Sequence, residues 1–267
     1  MSTDYKWKDE FGDYSLVPVP DGEGYSLLNT FLVYSGVLAV IAVLAVGTSL
    51  GINYTVSEVI IIAVIGSIIL SVIGGLISTI GGITNLSTYV VLRYSFGYIG
   101  SWVWSIIISG IPSGLGWFAV QTWFFGITVN AIAPAGSVWA DVGVASIWGG
   151  FLMMLTAIYG YRGLSFLSYL AVPMFILIAI AGIMVGLDGT DSLSGVFEIT
   201  PSEPGVPLSA GITALVGSYI VGATISMDIR RYSEKKHRPG IAWVTQIIIL
   251  MPLMVIGASL LTPFVFG

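Results

Sequence analysis

The chain predicts an all-α polytopic membrane protein, and three observations carry that reading. Of its 267 residues, 56% are hydrophobic and only 9% are charged, where a soluble domain carries about 25% charged residues. Mean hydropathy is +0.96. Apolar segments of spanning length recur along the chain without the period-2 alternation of a transmembrane barrel.

The first 28 residues, MSTDYKWKDEFGDYSLVPVPDGEGYSLL, are polar and of mixed charge. They lack the basic-then-apolar order of a signal peptide and read as a tail. Seven apolar segments follow, near 29–50, 59–80, 99–130, 143–160, 164–187, 208–227 and 240–265. A spanning helix needs about 20 mostly apolar residues. The third is longer than that, and Pro112 offers a kink point within it.

In span one, Ser35-Gly36 is a candidate for local unwinding. Glu58 reads as a solvated acid at the start of span two, and Gly81-Gly82-Ile83-Thr84-Asn85 marks that span's far end. Asn53-Tyr54-Thr55 matches a glycosylation sequon, in a loop too short and too near the membrane to weigh. Span six holds Gly217, Ser218 and Gly222 around Tyr219. Such residues permit a break that exposes backbone to a substrate or ion, and equally permit tight packing of an unbroken helix. Asp228, Arg230 and Arg231 read as an interfacial anchor rather than a proton relay.

All nine basic residues fall on one side of a seven-span path: Lys6, Lys8, Arg93, Arg162, Arg230, Arg231, Lys235, Lys236 and Arg238. The opposite loops, near 51–58, 131–142 and 188–207, hold only acids. The positive-inside rule makes the basic side and the N-terminus cytoplasmic. A multi-pass protein of the cell membrane is expected, with the lipid bilayer as a partner. The sequence closes on Phe266-Gly267 at the outer end of span seven, and an N-terminal fragment of a longer protein is expected on that account.

No cysteine is present, the lone His237 lies in a basic run, and no phosphate-binding glycine loop occurs. An enzyme is not expected, nor is a bound cofactor. A net charge of −5 argues against nucleic acid. From Tyr94 to Ala140 there is no Asp, Glu, Lys or Arg, yet Gln121 stands within GWFAVQTWFFG. Gly110, Gly114, Trp117, Gln121 and Phe125 share one face of an ideal helix. That face offers space, a stacking surface and an amide to a flat polar molecule. It equally offers a small-residue contact for a neighbouring helix.

Leu92-Arg93-Tyr94-Ser95-Phe96-Gly97, Gly100-Ser101, GWFAVQTWFFG and VGSYIVGATISMDIRRY, with SEPGVPLSAGI before span six, occur here in order. Together they resemble the nucleobase–cation symporter-1 family, across nearly the whole chain. The resemblance implies a leucine-transporter-like inverted-repeat fold, with helices one and six discontinuous and about twelve helices in all. Residues 29–187 would form the first repeat, 188–207 an extracellular loop, and 208–267 the start of the second. It implies that Trp117 stacks on a planar heterocycle and that Gln121 hydrogen-bonds its polar edge. Tyr219 falls where the sodium–hydantoin branch has a tryptophan, and Ser218 where that branch has glycine. With Gly217 they complete the implied substrate contacts. The backbone carbonyls of Ser35 and Leu38 align with sodium ligands, and oxygen donors suit a hard cation. Cytosine permeases lack a glutamine at position 121, which places this chain nearer the hydantoin, uracil and allantoin branch. The family's helix eight, which supplies further ion and substrate ligands, lies beyond residue 267. The function expected is import of a nucleobase or related heterocycle by symport with Na⁺ or H⁺. The alternative is a membrane sensor, or a truncated or decayed permease, that does not transport.

Overall fold

The computed structural model describes residues 14–134, 136–190, 192–234 and 240–266. Lys6, Lys8, Lys235, Lys236, His237 and Arg238 lie outside them. The described chain is helical, and four of its helices are long and apolar enough to cross a membrane, or five if one bent pair is a single span. Two shorter apolar helices complete the seven segments read from hydropathy. Lipid offers a backbone no hydrogen-bond partner, so helices are the form such segments take.

The bent pair is span one: α1 (Leu27–Leu38) and α2 (Ile41–Asn53) meet at 55°. The break falls at Ala39-Val40, not at Ser35-Gly36. Two contacts explain the difference. The Ser35 hydroxyl donates to the Phe31 carbonyl at 2.7 Å, within the helix. Gly36 serves close packing, since a Cβ there would overlap the Ser168 side chain.

Helix α3 (Val56–Thr84) opens on a capping box, Thr55 with Glu58, and ends at Asn85 in the left-handed conformation. Glu58 is thus a capping acid as well as a helix-start charge. Span three is longer than hydropathy gave: the helical stretch runs from Thr88 to Ile132. It comprises α4 (Thr88–Ser105), a π-helical segment (Ile106–Trp117) and α5 (Phe118–Ile132). Gly97, at φ +67°, bends α4. Pro112 lies inside the π segment. Proline has no N–H and its ring crowds the preceding turn, so the wider π turn accommodates it without ending the helix.

After α6 (Val142–Ile158) and α7 (Gly160–Asp188) comes a connector with a short helix, α8 (Leu193–Val196). Span six is α9 (Leu208–Thr224), followed at once by the short α10 (Met227–Arg230). The expected weakness at Gly217-Ser218 is absent. The Ser218 hydroxyl bonds back to Leu215 O at 2.7 Å, and the helix stays regular to Thr224. The break comes at Ile225-Ser226 instead. There the Ser226 hydroxyl donates to Gly74 O at 2.9 Å, and the Tyr34 hydroxyl donates to Ser226 O.

Helix α11 (Ile241–Phe266) lies at the centre and packs on α1, α2, α3 and α7. The main core joins Tyr34, Leu38, Leu70, Leu215, Tyr219, Trp243, Ile247 and Met251. At the basic end, Tyr25 stacks on Tyr161 at 4.6 Å, and Tyr161 meets Tyr232 at 4.5 Å. The Asp228 carboxylate accepts from the Thr88 backbone N–H at 2.9 Å and the Thr88 hydroxyl at 2.8 Å. Arg230 is 1% exposed and Arg231 is 6% exposed. The anchor read from the sequence is therefore a buried clasp between α10 and the start of α4. Burial lowers the Arg230 guanidinium pKa from its usual value.

Candidate functional site

Three elements enclose a cavity of about 240 Å³. The broken first span contributes Val37, Val40 and Val43. The π segment and α5 contribute Ser113, Trp117 and Gln121. Helix α9 and its break contribute Ser218, Tyr219, Val221, Gly222 and Ile225. The lining is apolar apart from one amide, two serine hydroxyls and the polar tips of the aromatics. Such a slot suits a small ligand with two apolar faces and a few polar edge groups.

Ser113, Trp117 and Gln121 step by four across the join of the π segment and α5. The Gln121 side chain is half-buried and makes no hydrogen bond to another described residue. An amide can donate twice and accept twice, and here those positions are available to a ligand. The rest of the face read from ideal helix spacing separates from it. Phe125 packs edge-on against Trp148 of α6 at 4.9 Å. Gly110 and Gly114 do not line the cavity. A Cβ on either would meet only a carbonyl of the same helix, from Ser105 and Ser109 respectively. The π turn carries them out of register with Trp117, and no atom of a neighbouring helix among the described residues lies within 4 Å of where either Cβ would stand.

Tyr219 is a wall of the cavity, but its hydroxyl is buried and has no hydrogen-bond partner among the described residues. The ring stacks on Trp243 of α11, centroids 5.6 Å apart and planes 16° from parallel. The Ser218 hydroxyl is half-committed, since its proton goes to Leu215 O. Gly217 is one residue from the lining and has open space where a Cβ would stand. Leu38 ends α1 at the break of span one and Ser35 lies one turn before it, and neither lines the cavity. Ser35 O accepts from Ala39 N–H at 2.7 Å and Leu38 O from Val40 N–H at 2.9 Å. Each carbonyl keeps a second lone pair. No group of three or more His, Cys, Asp or Glu side chains that could hold a metal occurs among the described residues.

Ser113 and the valines of the broken span were missed in the sequence. Ser113 has a signal in retrospect, four residues before Trp117. The valines have none, because only the 55° bend turns them toward α5 and α9.

The cavity has a neighbour on each side. One, of about 260 Å³, shares Val37, Tyr219, Gly222 and Ile225 with it and extends to Tyr161, Asp228, Arg231 and Tyr232 at the basic end. The other, of about 440 Å³, shares Trp117 with it and runs along Ala42, Ala45, Val46 and Ser49 of α2. Trp117 and Tyr219 thus each stand between the central space and an adjoining one.

No protein-family model matches the chain. The cytosine permease of Escherichia coli (strain K12) is 26% identical over 255 residues, which is 96% of this chain and 57% of that protein. The hydantoin permease of Microbacterium maritypicum is 27% identical over 141 residues, 52% of this chain and 28% of its own length. The chain therefore spans little more than half the length of the cytosine permeases that it matches. Among solved structures, Mhp1, a nucleobase-cation-symport-1 family transporter, matches in two states. Closed around bromovinylhydantoin, it superposes with a TM-score of 0.79 at 19% identity, over 93% of this chain and 57% of Mhp1. Inward facing, it gives 0.73 at 19% identity over 94% and 56%. The chain is a homologue of the cytosine and hydantoin permeases, a multi-pass membrane protein with the leucine-transporter-like fold of a nucleobase-cation-symport-1 transporter.

Proposed function

We propose that the full-length protein imports a nucleobase or related planar heterocycle, of uracil, cytosine, purine, allantoin or hydantoin type, by symport with Na⁺ or H⁺. The observation that carries this reading is the meeting of Trp117, Gln121 and Tyr219 around one apolar cavity, with the Gln121 amide uncommitted among the described residues. Trp117 supplies a stacking face for the ring, and Gln121 reads its amide or carbonyl edge. Tyr219 closes the slot, with Ser218 and Gly217 beside it. The broken first span brings the Ser35 and Leu38 carbonyls near the middle of the bundle, where they form part of a cage for the transported cation. That cation is cargo, and no resident cofactor is needed. In this reading 29–187 is one repeat and 208–267 the beginning of the second, with the basic end and the N-terminus cytoplasmic.

The test is uptake of radiolabelled uracil, cytosine, hypoxanthine, allantoin and hydantoin by cells expressing the full-length protein, with and without a sodium gradient. Saturable uptake of at least one ring is expected. Gln121→Ala should raise its half-saturation concentration roughly 5- to 150-fold, the equivalent of about 1–3 kcal/mol for a buried polar edge left unpaired. Trp117→Ala should abolish measurable uptake. Saturable uptake that is indifferent to both substitutions would move the site elsewhere. No uptake of any ring by protein correctly placed in the membrane would overturn the substrate class. Binding without uptake would instead favour a sensor.

A further inference from the structure

Among the described residues nothing polar holds the Tyr219 ring in place, because its hydroxyl has no hydrogen-bond partner there. Its orientation must come from packing. Two contacts supply it: Gly222, where a Cβ would lie 3.1 Å from Tyr219 Cζ, and the parallel stack on Trp243 at 5.6 Å. Trp243 is itself fixed on three sides. Its indole N–H donates to Leu70 O at 3.1 Å. Its ring fits over Gly74, where a Cβ would overlap the indole. Tyr34 meets it edge-on, at 5.4 Å and 81°. Trp243 is 1% exposed and does not line the central cavity.

We propose that Trp243 is a positioning residue that sets the Tyr219 ring as a wall of the substrate slot. Helix α11 then tunes recognition of a flat ring that it does not touch. The inference rests on the substrate reading above. It also gives a reason for glycine at position 74: any side chain there would displace the indole and, through it, the Tyr219 wall.

The experiment is a double-mutant cycle in the full-length protein. The probe is whichever ring of the uptake panel is carried best, and half-saturation concentration and maximal rate are read separately. Trp243→Leu removes the stack, Trp243→Phe keeps a ring without the N–H, and Gly74→Ala shifts an unchanged indole. Trp243→Leu should raise the half-saturation concentration roughly three- to tenfold, the scale of a lost aromatic pair. Trp243→Phe should fall between it and wild type, and Gly74→Ala should move it in the same direction. In a Tyr219→Leu background all three effects should shrink to less than about twofold, because the wall they position is gone.

A Trp243→Leu or Gly74→Ala effect of equal factor in both backgrounds would overturn the proposal. So would a half-saturation concentration unchanged by every one of these substitutions in an otherwise wild-type protein. Should Trp243→Leu fail to reach the membrane, Trp243→Phe and Gly74→Ala carry the same comparison. If Gln121→Ala and Tyr219→Leu alone leave the half-saturation concentration unchanged, the site reading fails. If they raise it while the Trp243 effect adds in full, only the positioning role fails.

Discussion

The two glutamines of the chain have opposite characters. Gln121 opens onto a cavity. Gln246 is fully buried in α11, and neither atom of its amide has a partner among the described residues. Gly240 lies against Gly75 and Thr79 while the Trp243 indole reaches Gly74 and Leu70, so α3 and α11 run antiparallel and Gln246 continues α11 toward the Ser67–Ser71 stretch of α3. The Ser67 and Ser71 hydroxyls are likewise buried without partners. An unmet buried amide costs about 1–3 kcal/mol, whereas an apolar side chain of the same shape costs little. Gln246→Met is therefore expected to raise the melting temperature of the purified full-length protein in detergent. A fall would show that the amide is bonded, most simply through buried water. Both glutamines are plain in the sequence, and only Gln121 stands in an uncharged, aromatic-rich window. Which of the two meets open space is decided by helix rotation, and that depends on neighbours distant in sequence. The Trp117 and Gln121 pair was legible because residues four apart share a face. Gly110 and Gly114 fall out of register because ideal spacing does not foresee a π turn, and Phe125 is drawn aside by its edge-on contact with Trp148 of α6.

At the scale of elements, hydropathy located every apolar helix but placed neither break. Both discontinuities lie a few residues beyond the glycine and serine that advertised them. Ser35 and Ser218 donate back to their own helices, and Gly36 is consumed by close packing on α7. The actual breaks are held by tertiary contacts: Tyr34 and Gly74 grip Ser226 from α1 and α3. The π segment is different, because its cause, Pro112, is local. Pro112→Ala removes the ring that forbids an ordinary α turn. The segment is expected to tighten, rotating Ser113 away from Trp117 and Gln121. Uptake should weaken several-fold with normal amounts of protein in the membrane. Unchanged half-saturation would show that the cavity does not depend on the wide turn.

For the whole molecule, charge asymmetry gives an orientation that the fold by itself leaves free. The absence of cysteine makes the test clean. Arg162, in the first turn of α7, and Ser202, beyond its other end, are both exposed. In intact cells an impermeant maleimide should label Ser202→Cys, and reach Arg162→Cys only after permeabilisation. The reverse would invert the protein, and labelling of both from outside would break the span between them. The packing also divides the molecule. Helix α11 gathers α1, α2, α3 and α7 into one body, while α5 lies chiefly against α6. The central cavity is the seam between them, and the Tyr34–Ser226 and Ser226–Gly74 bonds tie both breaks into the larger body. A ring seated between Trp117 and Tyr219 then acts as a shim whose thickness sets how nearly the two bodies can approach. A flat ring lets them close. A saturated, puckered analogue with the same polar edge would wedge them apart, and should occupy the slot and block uptake without being carried itself.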